Sequence, residues 1–332
     1  MIQVALPANH EFSIRHRRPG GLAEPGPAAL GQPHNAQPAL RTRLATRRVI
    51  HTHCTIPLYI HSRLRQPTMA FRILILGGTR DAMTLAEQLL EQPALEPTYS
   101  LAGRTRRPLP PALPTRRGGF GGIEGLKQWL MEHDIAAVVD ATHPFAAEMS
   151  HNAAIACQEL DLPLGRLERA PWEPGPDDNW HPVTDLHEAA RKATELTRPG
   201  DTLWLTTGRT SLPAFEGITG RHLLVRCVDP PDPEPSFENW TLIEDRGPYD
   251  LEAERRIITQ HNVAALITKN SGGEAAHPKL DAAREAGLPV IIIDRPSLPP
   301  ATHSFQSPEA VLEWLQQAVR VIEAYQTGSG EL

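Results

Sequence analysis

The chain has 332 residues, of which 40% are hydrophobic and 22% are charged, and its formal net charge is −6. This length and composition allow one large domain or two modest ones with buried cores. The acidic balance argues against nucleic acid as the main partner, because a phosphate backbone needs a basic face. An anionic ligand would need particular arginines or lysines that form a local basic site.

The cysteine pattern also excludes several classes of protein. Cys54, Cys157 and Cys227 lie far apart and form no CxxC pair. This favours a reduced, cytoplasmic compartment without a disulfide framework or a zinc site. No apolar run approaches the roughly 20 residues that span a membrane, so a membrane partner is not expected either.

The first 68 residues differ from the rest of the chain. They are rich in Pro, His, Arg and Gln, with nine arginines against two glutamates, and they show no helical or strand period. Their composition has some likeness to a transit peptide, but no signal-peptide core is present. Met69 is followed at once by AFRILILGG, which is typical of the start of a nucleotide-binding domain. We therefore predict that residues 1–68 are a disordered or misassigned N-terminal extension.

From Phe71 onward, apolar runs alternate with helical patterns. Continuous runs rich in Ile, Leu and Val are typical of parallel strands that are covered on both faces. Strands are predicted at Arg72–Leu76, Thr98–Ala102, Ala136–Ala141, Leu203–Thr207, Leu223–Val228, Ala264–Thr268 and Val290–Asp294. Helices are predicted at Arg80–Glu91, Ile123–Glu132, Ala146–Glu159, Leu186–Leu196, Leu251–Gln260, Glu274–Ala286 and Pro308–Glu323. This alternation predicts an α/β fold of doubly wound, Rossmann-like parallel sheets.

A proline-rich segment divides the pattern into two parts. Residues 169–182 hold four prolines and several acids, which is typical of a linker. We predict an N-terminal Rossmann-like NADP-binding domain at residues 69–168 and a C-terminal α/β domain at residues 183–325. A ligand would then bind in the cleft between them, at the carboxyl ends of the strands.

The first turn of the N-terminal domain is Gly77-Gly78-Thr79-Arg80. Glycines between a strand and a helix let the backbone approach a phosphate, and the helix N-terminus adds free N–H groups. Thr79 can cap the helix or bind the phosphate. The motif is not GxGxxG, so a plain strand–helix turn is the alternative. In this context we favour cofactor binding.

The end of the second strand is basic. Where many NAD sites carry an acid that binds the ribose 2′-hydroxyl, this chain has Gly103 and Arg104, followed by more arginines. Arginine pairs well with a 2′-phosphate, which favours NADPH over NADH. A solvated basic loop is the alternative.

The end of the third predicted strand carries candidate acid–base groups. Asp140 lies at the end of that strand, and Thr142, His143, Pro144 and Phe145 follow it before the next helix, which is typical of the rim of an active site. Asp140 could act in proton transfer or cap the helix. His143 could donate a proton, although a lone histidine is more often structural, and it has no companion at metal-ligand spacing.

Four loops of the C-terminal domain follow predicted strands or precede helices, and each carries polar or basic residues. On a parallel sheet they would project from one edge and form an anion-binding rim. The residues concerned are Arg209, Arg246 with Tyr249, Lys269 with Asn270, Ser271 and Gly272, and Arg295.

Taken in order, these motifs resemble the precorrin-6A reductase family of cobalamin biosynthesis. The resemblance rests on ILGGTRDAMTLAEQL, DATHPFA, TTGRTSL, EDRGPYDLEAE and KNSGG, and it covers about Phe71 to Leu315. It implies an NADPH-dependent enzyme that reduces a multiply carboxylated tetrapyrrole, precorrin-6A, to precorrin-6B. A related branch takes the cobalt-loaded substrate and often NADH, and the motifs alone leave the branch open. One departure is Tyr249, where Phe is the more usual residue.

The resemblance also implies roles for residues. Gly77, Gly78, Thr79 and Arg80 would hold the cofactor diphosphate, with Gly103 and Arg104 near its adenosine end. The loop from Asp140 to Phe145 would line the nicotinamide and the edge of the macrocycle. The second-domain rim would bind substrate carboxylates through Arg209, Arg246, Lys269, Asn270, Ser271, Gly272 and Arg295. The candidate catalytic groups are Asp140, His143, Tyr249 and Lys269, and solvent is a further source of the proton.

Other functions remain as alternatives at this stage. A short-chain dehydrogenase or epimerase needs a Tyr-x-x-x-Lys pair, and no tyrosine here has a lysine four residues later. A methyltransferase of the same pathway would need an acid where Gly103 and Arg104 stand. A non-catalytic NADP-sensing module would bind the cofactor without turning over a tetrapyrrole. We expect a monomer.

Overall fold

The computed structural model describes residues 14–16, 71–103 and 110–326. In chain order the strands are β1 (Ile14–His16), β2 (Phe71–Leu76), β3 (Leu95–Leu101), β4 (Thr115–Arg117), β5 (Ala137–Asp140), β6 (Leu164–Leu167), β7 (Trp180–Val183), β8 (Thr202–Leu205), β9 (His222–Cys227), β10 (Trp240–Glu244), β11 (Val263–Lys269), β12 (Val290–Ile293) and β13 (His303–Phe305). The α-helices are α1 (Arg80–Leu89), α2 (Gly122–Glu132), α3 (Ala147–Glu159), α4 (Leu186–Leu196), α5 (Leu251–Gln260), α6 (Pro278–Glu285) and α7 (Pro308–Gln326). Two 3₁₀ segments span Arg209–Phe215 and Glu274–Ala276.

The first sheet has six parallel strands in the order β13-β6-β5-β2-β3-β4. The chain proceeds from β2 to β3 and β4 on one side, and then returns to β5 on the other side. The sheet therefore changes direction between β2 and β5, and the crevice beyond their carboxyl ends is where α/β sheets bind ligands. The loops that flank this crevice begin at Gly77 and Ala141.

The second sheet has seven strands in the order β1-β10-β9-β8-β11-β12-β7. All pairs are parallel except that of β1 with β10, and the direction changes between β8 and β11. The loops at this second switch point begin at Thr206 and Asn270. Apart from β1, the prediction for residues 1–68 lies outside the described residues.

Helices cover both faces of each sheet, which explains the continuous apolar strands. In the first sheet, α1 and α7 bury one face, and α2 and α3 bury the other. In the second sheet, α4 and the first 3₁₀ segment pack on one face, and α5 and α6 pack on the other. The predicted fold of two parallel α/β sheets is confirmed, and each of the seven predicted helices is present.

From β2 onward, the chain crosses between the sheets twice, after β6 and after β12. The predicted division included only the first of these crossings. After β12 the chain returns to the first sheet, where β13 pairs with β6 and α7 packs beside α1. The second unit therefore ends before residue 303, rather than at residue 325. The amphipathic pattern of α7 predicts a buried face, but it does not specify which sheet covers that face.

The predicted linker at residues 169–182 is also ordered in part. Trp172 is buried in the core of the second sheet, and Trp180–Val183 form the edge strand β7. We call residues 168–179 the crossover segment. None of the described helices is both long enough and apolar enough to cross a membrane.

Candidate functional site

The glycine turn after β2 is shaped first by a neighbouring tyrosine. An ideal Cβ at Gly77 would lie 2.1 Å from a ring carbon of Tyr99, so only glycine fits there. The Gly78 N–H donates to the Tyr99 hydroxyl at 3.1 Å, and burial raises the pKa of that phenol. Gly78 has φ +118° and no atom within 4 Å of an added Cβ. Of the two glycines, Gly78 is therefore the one that faces open space.

Thr79 connects the two loops of the first switch point. Its hydroxyl accepts from the Ala82 N–H at 3.1 Å, as an N-cap, and donates to the Ala141 carbonyl at 2.9 Å. The hydroxyl is thus engaged within the protein. Among the described residues, the N–H groups of Arg80 and Asp81 have no partner, and Arg80 is exposed. These N–H groups, at the positive end of α1, fit an anion.

Asp140 is a structural residue in this geometry, not a rim acid. Its side chain is 2% exposed, and its Oδ2 accepts from the Arg166 Nε at 3.2 Å. Its Oδ1 accepts from the hydroxyl of Thr142 at 2.7 Å and from the Thr142 N–H at 3.2 Å. Arg166 is itself buried and donates to the Pro299 carbonyl at 2.8 Å. The predicted catalytic role of Asp140 and the predicted cofactor contact of Thr142 conflict with these internal bonds.

His143 lies at the rim, where its ring is accessible to solvent. Its Nδ1 accepts from the Phe145 N–H at 3.2 Å, which places the imidazole proton on Nε2. Desolvation by the surrounding loops and nearby positive charges lower the pKa of His143 to about 4. At neutral pH it is therefore a neutral hydrogen-bond donor. The charges that act on it come from Arg169, Lys269, Lys279 and Arg295.

Lys269 and Phe145 meet across the two sheets. Lys269 is the last residue of β11, and its Nζ donates to the Ser211 hydroxyl at 2.8 Å. The same Nζ lies 5.4 Å from the centroid of the Phe145 ring. Phe145 belongs to the first-sheet loop but packs against the core of the second sheet. This pair joins the loops of both switch points. The neighbouring Pro144 is half-buried.

The Asn270-Ser271-Gly272 loop holds the crossover segment. Asn270 is buried, accepts from the Trp172 N–H at 2.8 Å and donates to the Trp172 carbonyl at 3.1 Å. An ideal Cβ at Gly272 would lie 2.3 Å from the Ala170 carbonyl oxygen. The predicted substrate contacts of Asn270 and Gly272 are therefore replaced by internal contacts, and Ser271 remains half-buried beside them.

Arg295 supports the same segment. Its Nε donates to the Asn270 carbonyl at 2.9 Å, and its Nη1 donates to the Arg169 carbonyl at 2.7 Å. Burial lowers the pKa of this guanidinium. Arg295 was predicted to bind substrate, but its guanidinium holds two backbone carbonyls.

The remaining second-domain candidates lie in separate surroundings. Arg209 is half-buried, and its charge acts on the buried thiol of Cys227. Arg246 is exposed on the loop after β10. The ring of Tyr249 stacks on the Arg226 guanidinium at 3.9 Å, and burial raises the pKa of its phenol. A phenol with a raised pKa that stacks on a buried arginine is a poor source of a catalytic proton.

Arg116 lies beside the end of the second strand of the first sheet. Arg116 on β4 donates to the Ser100 hydroxyl at 2.8 Å and to the Gly118 carbonyl at 3.0 Å. An ideal Cβ at Gly103 would lie 3.7 Å from the Gly118 nitrogen, so the ends of β3 and β4 lie together. Arg104 lies outside the described residues.

Sequence reasoning missed Arg169, which lies between the two units. Its Nε is 3.5 Å from Oδ2 of Asp81, in the first turn of α1. An ideal Cβ at Gly273 would lie 2.9 Å from its Nη1. The position of Arg169 just beyond a parallel strand could have identified it from the sequence. That strand, β6, was not predicted, because it has only four residues and these include a glycine and an arginine. Among the described residues, no cluster of three His, Cys, Asp or Glu side chains could hold a metal ion.

Comparison with known proteins shows that the chain is similar to the members of one family. The model of the family described as precorrin-6x reductase CbiJ/CobK matches residues 72–316. A precorrin-6A reductase of Rhodococcus erythropolis is 42% identical over 75% of this chain and 99% of its own length. A cobalt-precorrin-6A reductase of Priestia megaterium is 31% identical over 68% of this chain and 91% of its own length. A solved structure named CobK precorrin-6A reductase superposes with a TM-score of 0.70, at 39% identity, over 74% of this chain and 96% of that one.

Proposed function

Because the chain belongs to the precorrin-6x reductase family, we propose that it reduces precorrin-6A to precorrin-6B with NADPH, in cobalamin biosynthesis. The observation that carries this proposal is the group of cations where the loops of the two switch points meet. The charges of Arg169 and Lys269 both act on His143, and Lys269 lies over the ring of Phe145. Arg169 also pairs with Asp81 in the first turn of α1, which follows the open turn at Gly78. Such a basic region suits an anionic dinucleotide and a polycarboxylate.

The first sheet would hold the cofactor. The free N–H groups of Arg80 and Asp81, and the open side of Gly78, fit a diphosphate at the start of α1. The bound nicotinamide would supply the hydride. We assign the adenosine end to Gly103–Arg104 and the arginines that follow, whose guanidinium groups can pair with a 2′-phosphate. These arginines are our reason for choosing NADPH over NADH.

The second sheet would hold the substrate. Lys269 is the best placed of the predicted carboxylate partners, because its ammonium group lies where the two units meet. His143 would add a neutral Nε2–H donor on the opposite side. These groups would orient the macrocycle so that its reacting carbon faces the nicotinamide, and orientation of this kind supplies much of the acceleration in such reactions.

The protonation that accompanies reduction needs a source. Asp140 is buried in an ion pair, Tyr249 has a raised pKa, and His143 is neutral at pH 7 because its pKa is about 4. We therefore propose that solvent water delivers this proton. The side chains of the cleft would then bind and orient the reactants without acting as acids.

We favour the metal-free substrate, because the 42% identical relative carries that name and the cobalt-named relative is 31% identical. We further propose that the protein works as a monomer in the cytoplasm, in keeping with its free, buried Cys157 and Cys227.

The test is an anaerobic absorbance assay of the reduced nicotinamide. NADPH and NADH would each be mixed with precorrin-6A and with its cobalt form. Oxidation of NADPH that requires the metal-free macrocycle is the expected result. Tight binding of NADPH without oxidation by either macrocycle would instead favour the NADP-sensing module.

A further inference from the structure

We propose that Arg169 binds the diphosphate of the dinucleotide, and that Asp81 competes with that diphosphate for the same guanidinium. This inference rests on the proposed function, since it adds a binding residue to the cofactor site. Arg169 belongs to the crossover segment. No site residue was predicted from the sequence in that segment.

The position of Arg169 follows from the packing of both units. Its backbone carbonyl accepts from Arg295 at 2.7 Å, and its side chain lies against the Cα of Gly273. From there its Nε reaches Oδ2 of Asp81 at 3.5 Å. Asp81 is the second residue of α1, so the guanidinium lies beside the helix terminus that faces the Gly78 turn.

The turn itself offers few donors to an anion. The Gly77 N–H donates to the Ser100 carbonyl at 3.0 Å, and the Gly78 N–H donates to the Tyr99 hydroxyl at 3.1 Å. The Thr79 hydroxyl is engaged with the Ala141 carbonyl. These three groups are therefore already paired within the protein, and the N–H groups of Arg80 and Asp81 are the ones left to meet a phosphate.

The local charge is also unfavourable without Arg169. The carboxylate of Asp81 lies in the first turn of α1 and would repel a diphosphate. A guanidinium beside it neutralises that charge and presents N–H groups in the fork that suits phosphate oxygens. The Asp81–Arg169 pair is long and partly exposed, with side-chain exposures of 32% and 20%, so an arriving anion can exchange with the carboxylate.

Fluorescence titration of the purified chain with NADPH tests this directly, because it measures binding without turnover. Arg169→Ala should raise the Kd by about 10- to 100-fold, as expected for loss of a charge-assisted hydrogen bond. Arg169→Lys should give an intermediate Kd, because it keeps the charge but loses the fork. Asp81→Asn should lower the Kd and should steepen its dependence on salt, because screening then acts only on the attraction between Arg169 and the phosphate.

Arg72→Ala is the matched control. Arg72 pairs with Glu96 and Asp134 at the amino end of the first sheet, so its removal changes the net charge equally but far from the turn. The Kd of the Arg72→Ala variant for NADPH should equal that of the natural chain. Thermal melts would show whether each variant is folded, and Asp81→Asn keeps the test available if Arg169→Ala does not fold.

Three results would overturn the inference. One is an Arg169→Ala Kd equal to that of the natural chain. Another is an unchanged Kd with a raised KM for the macrocycle, which would make Arg169 a carboxylate partner of the substrate. A third is weaker binding of NADPH by Asp81→Asn. If the natural chain binds no nicotinamide dinucleotide, the proposed function fails first, and this inference fails with it.

Discussion

Lys269 at the end of the second sheet lies over the ring of Phe145 from the first sheet, with Nζ 5.4 Å from the ring centroid. The loops of the two switch points therefore meet at a cation and an aromatic ring. Nζ also donates to Ser211, so the ammonium group is held at a defined place in the cleft. This relationship suggests how the two units divide the binding of the two reactants.

We predict that Lys269→Ala raises the KM for the macrocycle by about tenfold, the value of one charge-assisted contact, and leaves the Kd for NADPH nearly unchanged. Steady-state kinetics and fluorescence titration would measure the two constants. Lys192→Ala is a suitable control, because Lys192 is a partly exposed lysine of α4 that pairs with Glu195. Equal losses of both affinities in Lys269→Ala would refute this division of labour.

The second prediction concerns the titration of His143. Its pKa is lowered from 6.5 to about 4, so the folded state binds this proton less tightly than the unfolded chain. The contribution of His143 to stability should be complete above pH 6.5 and should be lost as the pH falls towards 4. NMR of the ring proton, compared with His143→Gln, would locate the titration. An inflection near 6.5 would show that neither desolvation nor the neighbouring cations lower the pKa of this ring.

His143→Gln also tests the proposed source of the proton. Glutamine keeps an N–H donor but cannot act as an acid, so kcat near neutral pH should be largely preserved. A loss of about 100-fold or more, the usual effect of removing a general acid, would return His143 to the role of proton donor.

Asp140 should prove important for stability more than for chemistry. Asp140→Asn leaves the charge of Arg166 buried without its counter-ion, and breaking a buried pair in this way costs about 3–5 kcal/mol. Urea unfolding would measure this loss of free energy of unfolding. The folded fraction of the variant should keep a near-normal kcat. A stable but inactive Asp140→Asn would contradict the structural role.

Gly77 and Tyr99 should be energetically coupled. Gly77→Ala places a methyl group against the Tyr99 ring, and overpacking of this kind costs about 1–3 kcal/mol. In a Tyr99→Leu background the ring is gone, so the same substitution should cost less. Thermal or urea unfolding of the two single variants and the double variant would measure the coupling. Additive penalties would show that the ring is not the reason for glycine at this position.

Much of the fold could be predicted from the sequence because the helices carry strong local signals. Asp185 and Asp250 cap α4 and α5 with side-chain hydrogen bonds, and the apolar faces of these helices repeat at the helical period. Among the described strands from β2 onward, those that were missed have three residues in β4 and β13, four in β6 and β7, and five in β10. Each of them includes polar residues, Gly or Pro, so they lack the continuous apolar run that marks β12.

The site was less predictable because its details depend on distant partners. The requirement for glycine at Gly77 comes from the ring of Tyr99, and the buried state of Asp140 comes from Arg166. The loop at Asn270 has the composition of an anion cradle but holds Trp172 of the crossover segment. Sequence patterns place polar residues at strand ends, whereas the contacts that decide their roles arise only from packing.

The most direct test of the central claim is to follow the hydrogen itself. Precorrin-6A would be incubated anaerobically with the protein and with NADPH deuterated at the transferred C4 position, and the product would be analysed by mass spectrometry. We expect a reduced macrocycle that carries one deuterium from the cofactor, whereas the accompanying proton comes from the solvent. A product without cofactor deuterium, or no reduced product despite binding of NADPH, would contradict it.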